Sequence, residues 1–226
     1  ITKLVKNIII PLLPFHVYGI FANLSFAGTV FEIMSVFIKV FGIIIVLHIV
    51  IIVIQYAIAG VFAKKNPFVM TKNMLPAYFT AIGTQSSAAT IPVTINATEK
   101  NGVRTKIAEF VCPLCATIHL SGSTITLTSC SIAIMLLNGW DISFGQMFPF
   151  IMMLGVTMVA APGVPGGAVM AALGILDSML GFNETMLSLM IALYIAQDSF
   201  GTACNVTGDG AIAVLMGAIT PKENEA

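Results

Sequence analysis

Apolar residues run along this chain in stretches long enough to cross a membrane as helices, and short breaks interrupt two of these stretches. Residues 8–25 and 32–63 are almost wholly apolar, whereas 73–99 has a polar centre and 144–180 a centre rich in Pro and Gly. A membrane core of about 30 Å takes roughly 20 helical residues. The pattern predicts an all-α membrane protein with these elements: a transmembrane helix at 1–30, another at 31–63, a hairpin at 67–99, a broken helix at 104–138, a hairpin at 143–180 and a last helix at 184–219.

The composition supports a membrane setting. Hydrophobic residues make up 58% of the 226 and charged residues only 9%, whereas soluble domains carry roughly 25% charged residues. The formal net charge is zero and no basic patch is interleaved with aromatic residues, so nucleic acid is not expected as a partner. Cys112 and Cys115 form a C-P-L-C pattern without a βαβ context or a second ligand pair, which predicts buried apolar side chains.

The positions of Lys and Arg predict the topology. Basic residues cluster at 64–72 and 100–106, and none lies between Lys106 and Lys222. Under the positive-inside rule both clusters face the cytoplasm, so the segment between them must enter and leave on one side. Each limb of about 12 residues reaches only half way across the membrane. The polar centre at 84–92 therefore predicts a re-entrant hairpin.

The same reasoning predicts a second hairpin at 144–180. The neighbouring spans at 107–137 and 185–219 already return the chain to the cytoplasm, so this segment must turn back from outside. Its centre at 161–167 contains two prolines and three glycines, which interrupt a helix. Two opposed hairpins that meet near the midplane form the inverted-repeat architecture of secondary transporters, whose binding sites lie at that meeting point.

Four polar residues share one face of the last helix. Asp198, Thr202, Asn205 and Asp209 are separated by four, three and four residues, and such positions stay within about 40° of Asp198 around a helix. Ionisable residues inside a membrane usually mark an ion or substrate path. We interpret Asp209 as an oxygen ligand for a small cation and Asp198 as the partner of a cationic substrate group. For Asp209, a structural carboxylate near the helix end is the alternative.

An intramembrane aspartyl protease is a competing interpretation of two membrane aspartates. Its dyad needs carboxylates about 3 Å apart. Eleven residues of continuous helix separate Asp198 from Asp209 by about 16 Å. We therefore expect no enzyme activity and no cofactor.

A third polar cluster, Ala116 to Thr124, lies in the span before the second hairpin. Gly122 with flanking hydroxyl residues can loosen a membrane helix and free carbonyl oxygens for an ion. Equally, small residues let helices pack closely, and hydroxyls bond to their own backbone. His119 either couples protons or hydrogen-bonds a neighbouring helix, which is the commoner role.

Four motifs along the chain together resemble the dicarboxylate/amino acid:cation symporters, the family of the glutamate and neutral amino acid transporters. They are similar to its first hairpin tip, interrupted seventh helix, second hairpin tip and eighth helix: Gln85 to Pro92, Ala116 to Ser123, Gly163 to Gly166, and Asp198 with Asn205 to Asp209.

This resemblance implies that residues 1–30 form the scaffold-type fifth helix and that 31–226 form the transport core. The chain opens at Ile1 without an initiator Met, so we expect a fragment that lacks the first four helices. The resemblance further implies a homotrimer with an elevator-type moving core in the cell membrane.

The resemblance also implies two sodium sites and an amino acid site. One sodium site would use Asp209 and the backbone near Asn205, Cys115 and His119. The second would use carbonyl groups near Thr117 and across 158–161.

The implied amino acid site lies between the hairpin tips and the last helix. Its residues would be Ser86, Ser87, the backbone at Val164, Asp198, Thr202 and Asn205. Asp198 would receive the α-amino group, and Asn205 and Ser87 would receive the carboxylate.

Two departures from the family pattern bear on function. Members that take acidic substrates carry an Arg where this chain has Gly201, so a dicarboxylate would lose its bidentate partner. Ser121 replaces a carboxylate that helps to bind a further sodium ion. We therefore predict sodium-coupled uptake of a small neutral amino acid. The alternatives are symport of acidic amino acids or dicarboxylates, proton-coupled symport, and an anion-conducting channel.

Overall fold

The computed structural model describes residues 30–221 and, before them, residues 11, 12, 15, 18, 19, 22, 25, 26 and 28. The helix predicted at 1–30 lies largely outside these described residues. Between residues 30 and 221 the chain is helical without strands, which confirms the all-α prediction. The helices there are α1 (Val30–Ala63), α2 (Pro67–Asn73), α3 (Leu75–Thr84), α4 (Ser87–Lys100), α5 (Thr105–Ile118), α6 (Ser121–Leu137), α7 (Phe144–Met158), α8 (Gly167–Leu180) and α9 (Glu184–Ile219).

Local sequence explains where several helices begin. Asn66, Ser86, Ser143 and Asn183 each precede a helix, and each side chain accepts a hydrogen bond from a backbone N–H two or three residues later. Such caps satisfy N–H groups that the first helical turn leaves free. The α3 helix ends at Thr84 and is followed by Gln85, whose left-handed backbone (φ 50°) is uncommon for a residue other than glycine.

Three stretches of the described chain are long and apolar enough to cross a membrane: Ile33–Ala63, Thr105–Leu137 and Glu184–Ile219. The second of these comprises α5 and α6, with a break at His119 and Leu120. The remaining helices are shorter, and they pack in pairs, α3 against α4 and α7 against α8. The re-entrant path of these two pairs stays a prediction.

The α9 helix is the centre of the structure. It contacts α1, α3, α4, α5, α6 and α8, and residues 201–211 are all buried. One apolar core, which includes Leu127, Phe150 and Leu176, surrounds its N-terminal half. A second, which includes Tyr56 and Met74, surrounds its C-terminal half. The predicted polar face of α9 is therefore enclosed by protein rather than exposed to lipid.

Glycine allows α6 and α9 to approach closely. A Cβ atom added at Gly122 of α6 would lie 2.5 Å from the Gly201 carbonyl oxygen and 2.6 Å from the Cys204 Cβ atom. A Cβ atom at Gly201 would make only ordinary contacts, the nearest at 3.6 Å to the Thr126 hydroxyl. The close approach therefore depends on Gly122 more than on Gly201.

We expect Gly122→Ala to destabilise the protein by about 1–3 kcal/mol, because the added methyl group meets backbone that cannot move aside. The melting temperature of the purified full-length protein in detergent measures this loss. Gly201→Ala is the matched control, and we expect it to change the melting temperature less. Equal melting temperatures for the two variants would contradict the close approach at Gly122.

Candidate functional site

The two helix breaks predicted as hairpin tips contact each other. The Ser86 hydroxyl, between α3 and α4, donates a hydrogen bond of 2.7 Å to the Gly163 carbonyl oxygen, between α7 and α8. A Cβ atom at Gly163 would lie 3.4 Å from the Ala116 carbonyl oxygen, so the second break also lies beside the end of α5. The structure thus brings together three interruptions that are far apart in sequence.

Hydrogen bonds from α9 hold both breaks in place. The Gln85 amide donates to the Ser199 hydroxyl at 2.8 Å. The Asp198 carboxylate accepts a hydrogen bond of 2.7 Å from the Gly166 backbone N–H. Gly166 directly precedes α8, and a carboxylate at a helix N-terminus is stabilised by the free N–H groups and the helix dipole. Asp198 therefore fixes the second break onto α9.

Asp198 is a buried carboxylate whose hydrogen-bond partners are neutral groups, among them the Tyr194 hydroxyl. Its side chain is in a residue only 4% exposed, and its second oxygen lies 3.4 Å from the Thr202 hydroxyl, which donates to it. No Lys or Arg occurs between positions 107 and 221. A buried charge is costly unless it is paired or well hydrogen-bonded. A carboxylate in this setting can bind an ammonium group.

Asn205 caps the N-terminus of α6. Its side-chain oxygen accepts hydrogen bonds from the backbone N–H groups of Gly122 (2.8 Å) and Ser123 (3.3 Å), and its amide donates to the Ser123 hydroxyl at 2.9 Å. These N–H groups belong to the first turn of α6, where a helix has no partner of its own. Asn205 acts as a cap supplied by a neighbouring helix. Its side chain is thus engaged within the protein.

Asp209 contacts the break between α5 and α6. Its carboxylate lies 2.9 Å from Nδ1 of His119, and the residue is 1% exposed. Nε2 of His119 lies 3.0 Å from the side-chain nitrogen of Gln55 on α1. The sequence predicted two alternative roles for His119, and the structure shows one of them, hydrogen bonding to neighbouring helices. Asp209 is buried in the protein and is not an exposed carboxylate at a helix end.

Asp198 and Asp209 have separate surroundings. The α9 helix is continuous from Glu184 to Ile219, so eleven residues place the two positions about 16 Å apart along its axis. One carboxylate binds the second break, and the other binds the His119 ring. This separation does not suit a dyad in which two carboxylates share one proton.

Ser87 and the Val164 backbone are the other groups predicted to bind the amino acid. Ser87 is buried at the start of α4, beside Ser86. The Val164 backbone is engaged within its own turn, because its N–H donates to Pro162 and its carbonyl accepts from Gly167.

The predicted backbone ligands of sodium differ in their surroundings. The Cys115 carbonyl accepts from the His119 N–H at 2.8 Å, which keeps it next to the α5–α6 break. The Met158 carbonyl, at the start of the predicted range 158–161, accepts from the Ala161 N–H at 3.0 Å. The Thr117 side chain is exposed and bonds to Leu114.

All four cysteines are buried and free, in agreement with their apolar surroundings in the sequence. Cys112 and Cys115 belong to the core around the C-terminal half of α9.

Three polar residues of α1 contact the site although the sequence pattern did not predict them. His48 lies 3.0 Å from the Gly122 carbonyl oxygen, Gln55 contacts His119, and the Tyr56 hydroxyl donates to the Thr207 carbonyl at 2.9 Å. They support the α5–α6 break and α9 from the far side. The sequence did contain a signal for two of them, because a His and a Gln lie seven residues apart within the most apolar span of the chain.

The chain is similar in sequence to known transporters. A model of the sodium:dicarboxylate symporter family matches residues 1–219. The chain is 35% identical over 147 residues to an excitatory amino acid transporter of Caenorhabditis elegans, a match that covers 65% of this chain and 29% of that protein.

Two further relatives carry different substrate names. Excitatory amino acid transporter 5 of Mus musculus is 33% identical over 161 residues, covering 71% of this chain and 29% of the relative. Neutral amino acid transporter A of Bos taurus is 33% identical over 163 residues, covering 72% and 31%. The matches thus span about three tenths of the length of these relatives.

We expect Asn205→Leu to lower the melting temperature, because two buried N–H groups of α6 lose their acceptor at a cost of about 1–3 kcal/mol. Thr207→Val is the matched control on the same helix, since within the described part of the chain the Thr207 hydroxyl bonds to the Ala203 carbonyl of its own helix. Thermal unfolding of both variants in detergent is the measurement. A stability loss for Thr207→Val as large as that for Asn205→Leu would refute the capping role.

Proposed function

Because the chain belongs to the sodium:dicarboxylate symporter family, we propose that the full-length protein couples the entry of sodium to the uptake of a small neutral amino acid. The observation that carries the substrate assignment is the buried Asp198 carboxylate at the junction of the two breaks, with Gly201 three residues later. A carboxylate there attracts the α-amino group. A glycine offers no cation to a second carboxylate on the substrate.

The surroundings of Gly201 support this substrate class. A side chain at position 201 would begin against α6, with its Cβ atom 3.6 Å from the Thr126 hydroxyl and 3.7 Å from the Ser123 nitrogen. The nearest basic residues in sequence, Lys106 and Lys222, lie far from position 201 along the chain. The side-chain carboxylate of an acidic substrate would find no Arg at position 201. An Arg there could bind that carboxylate through two hydrogen bonds.

In the proposed complex, the α-amino group binds Asp198 and Thr202, and the substrate carboxylate binds at Ser87. Ser87 begins α4, and the free N–H groups at the start of a helix attract anions. Asn205 is the second proposed ligand of the carboxylate, and its side chain also holds the start of α6 in place. Ser86 and Val164 shape the site through the contact between the two breaks.

In the same proposal, Asp209 binds sodium together with backbone oxygens near Asn205, Cys115 and His119, and carbonyls near Thr117 and across 158–161 hold a second ion. Sodium is a hard cation that prefers oxygen ligands, as calcium and magnesium do. The buried carboxylate supplies the compensating charge. The homotrimer, the elevator movement and the location in the cell membrane belong to this proposal as implications of family membership.

Proton-coupled symport is the second candidate, and the His119–Asp209 contact favours it. A histidine bound to a carboxylate inside a membrane is a group that proton-coupled transporters use. Sodium remains our first choice because the family model is one of sodium symporters.

Radiolabelled uptake into liposomes that contain the full-length protein tests the substrate. We expect sodium-driven, concentrative uptake of alanine or serine, with weak competition by glutamate and aspartate. Preferred uptake of glutamate would overturn the neutral substrate. Flux that never exceeds equilibrium would instead indicate a channel.

Asp198→Asn tests the role of the carboxylate in that assay. A hydrogen bond to a charged group is worth about 1.5–3 kcal/mol, so the half-saturating amino acid concentration should rise roughly ten- to a hundredfold. Asp177→Asn, an exposed acid on α8, is the control. If Asp198→Asn transports with unchanged affinity, Asp198 does not bind the amine.

Asp209→Asn tests the coupling ion. The substitution keeps the shape but removes the charge, so we expect the half-saturating sodium concentration to rise at least about tenfold. The measurement is uptake against sodium concentration at fixed pH, with Asp177→Asn again as the control. Uptake that persists without sodium and follows an imposed pH gradient would assign proton coupling instead.

A further inference from the structure

Gln55 is not among the residues proposed to bind substrate or sodium, but its side chain contacts the proposed cation site. It belongs to α1, and its side-chain nitrogen lies 3.0 Å from Nε2 of His119. On the other edge of the ring, Nδ1 lies 2.9 Å from Asp209. Three elements, α1, the α5–α6 break and α9, are thus linked in one row of hydrogen bonds.

The two contacts define the orientation of the His119 ring. In the ionised form that would bind sodium, the Asp209 carboxylate only accepts hydrogen bonds, so Nδ1 of His119 carries the hydrogen that Asp209 receives. In a neutral ring, Nε2 is then an acceptor. The Gln55 amide nitrogen, which has two hydrogens, donates to it. Gln55 therefore favours the ring form whose hydrogen points at Asp209.

Packing adds to this restraint. A Cβ atom at Gly208 would collide with Cε1 of His119 and would lie 2.6 Å from the side-chain oxygen of Gln55. The ring and the amide therefore lie directly against the α9 backbone next to Asp209. With Gly208 on one side and hydrogen bonds at both ring nitrogens, the His119 side chain has little freedom to turn.

We propose that Gln55 is a positioning residue for the cation site: it holds His119 so that one hydrogen bond orients the Asp209 carboxylate while leaving its charge available for sodium. This inference rests on the proposed function, since it takes Asp209 as a sodium ligand. It adds α1 to the elements that determine sodium affinity. Residues that orient metal ligands from outside the ligand shell commonly affect metal affinity by tenfold or more.

Gln197 provides a matched control. Like Gln55, it is a glutamine of a membrane-length helix whose side-chain oxygen is buried without a hydrogen-bond partner among the described residues. Its amide donates to the Leu193 carbonyl and the Cys130 sulfur and touches neither His119 nor Asp209. Any general effect of removing a buried amide should therefore be seen in Gln197→Met as well as in Gln55→Met.

Sodium binding to the purified full-length protein, followed by the rise in melting temperature with sodium in the absence of amino acid, tests the proposal. We expect Gln55→Met to raise the half-saturating sodium concentration about tenfold. Gln197→Met should leave that concentration within about twofold of the unsubstituted protein, even if its melting temperature without sodium changes.

A double-mutant cycle with His119→Asn separates positioning from a general effect. If Gln55 acts through the ring, Gln55→Met should have little further effect on sodium binding in the His119→Asn protein. Equal fold-changes from Gln55→Met in both backgrounds would overturn the proposal. So would a loss of sodium affinity of the same size in Gln197→Met.

Nitrogen NMR of histidine-labelled protein gives a readout that does not depend on sodium. The His119 signals, assigned by their loss in His119→Asn, should show the hydrogen on Nδ1. The Nε2 signal should shift in Gln55→Met, which lacks the hydrogen bond to Nε2, but not in Gln197→Met. An unchanged Nε2 signal in Gln55→Met would overturn the positioning role. If the Nε2 signal depends on Gln55 but sodium does not bind the unsubstituted protein, the positioning of the ring stands, whereas both the proposed coupling ion and the link to sodium fail.

Discussion

The structure depends on one constraint: Asp198, Asn205 and Asp209, on the buried polar face of α9, need hydrogen-bond partners within the protein. Asp198, Asn205 and Asp209 are each at most 4% exposed, and a polar group without a partner at such a position costs several kcal/mol in an apolar setting. Regular helices cannot satisfy them, because the backbone groups of a helix interior are already paired. Each of these side chains therefore faces an interruption of a neighbouring helix.

The pairing is specific for each interruption. Asp198 accepts from the N–H that precedes α8, Asn205 accepts from the N–H groups that begin α6, and Asp209 binds the histidine at the α5–α6 break. The benefit is mutual, since helix starts carry free N–H groups that need acceptors. The breaks and the polar face of α9 thus stabilise each other. They also leave a few backbone and side-chain groups close together in an otherwise apolar protein.

This arrangement explains why the proposed roles divide along α9. The N-terminal part of its polar face meets the contact between the two tips, where a substrate could bind between Ser87 and Asp198. The C-terminal part meets a histidine and a glutamine that orient a carboxylate. A single continuous helix keeps the two parts at a fixed separation.

The sequence by itself determined the helical class, the approximate bounds of the long helices and the positions of the interruptions, because hydrophobic length and Pro, Gly and polar breaks are local properties. It also identified Asp198, Asn205 and Asp209, since a four-three-four spacing places them on one helix face. It could not identify Gln55 or His48, whose importance comes from contacts 64 and 74 residues away in sequence. Nor could it show that the Asn205 side chain caps α6. Only the tertiary structure decided these points, because a polar residue in an apolar helix has many possible partners and packing selects one of them.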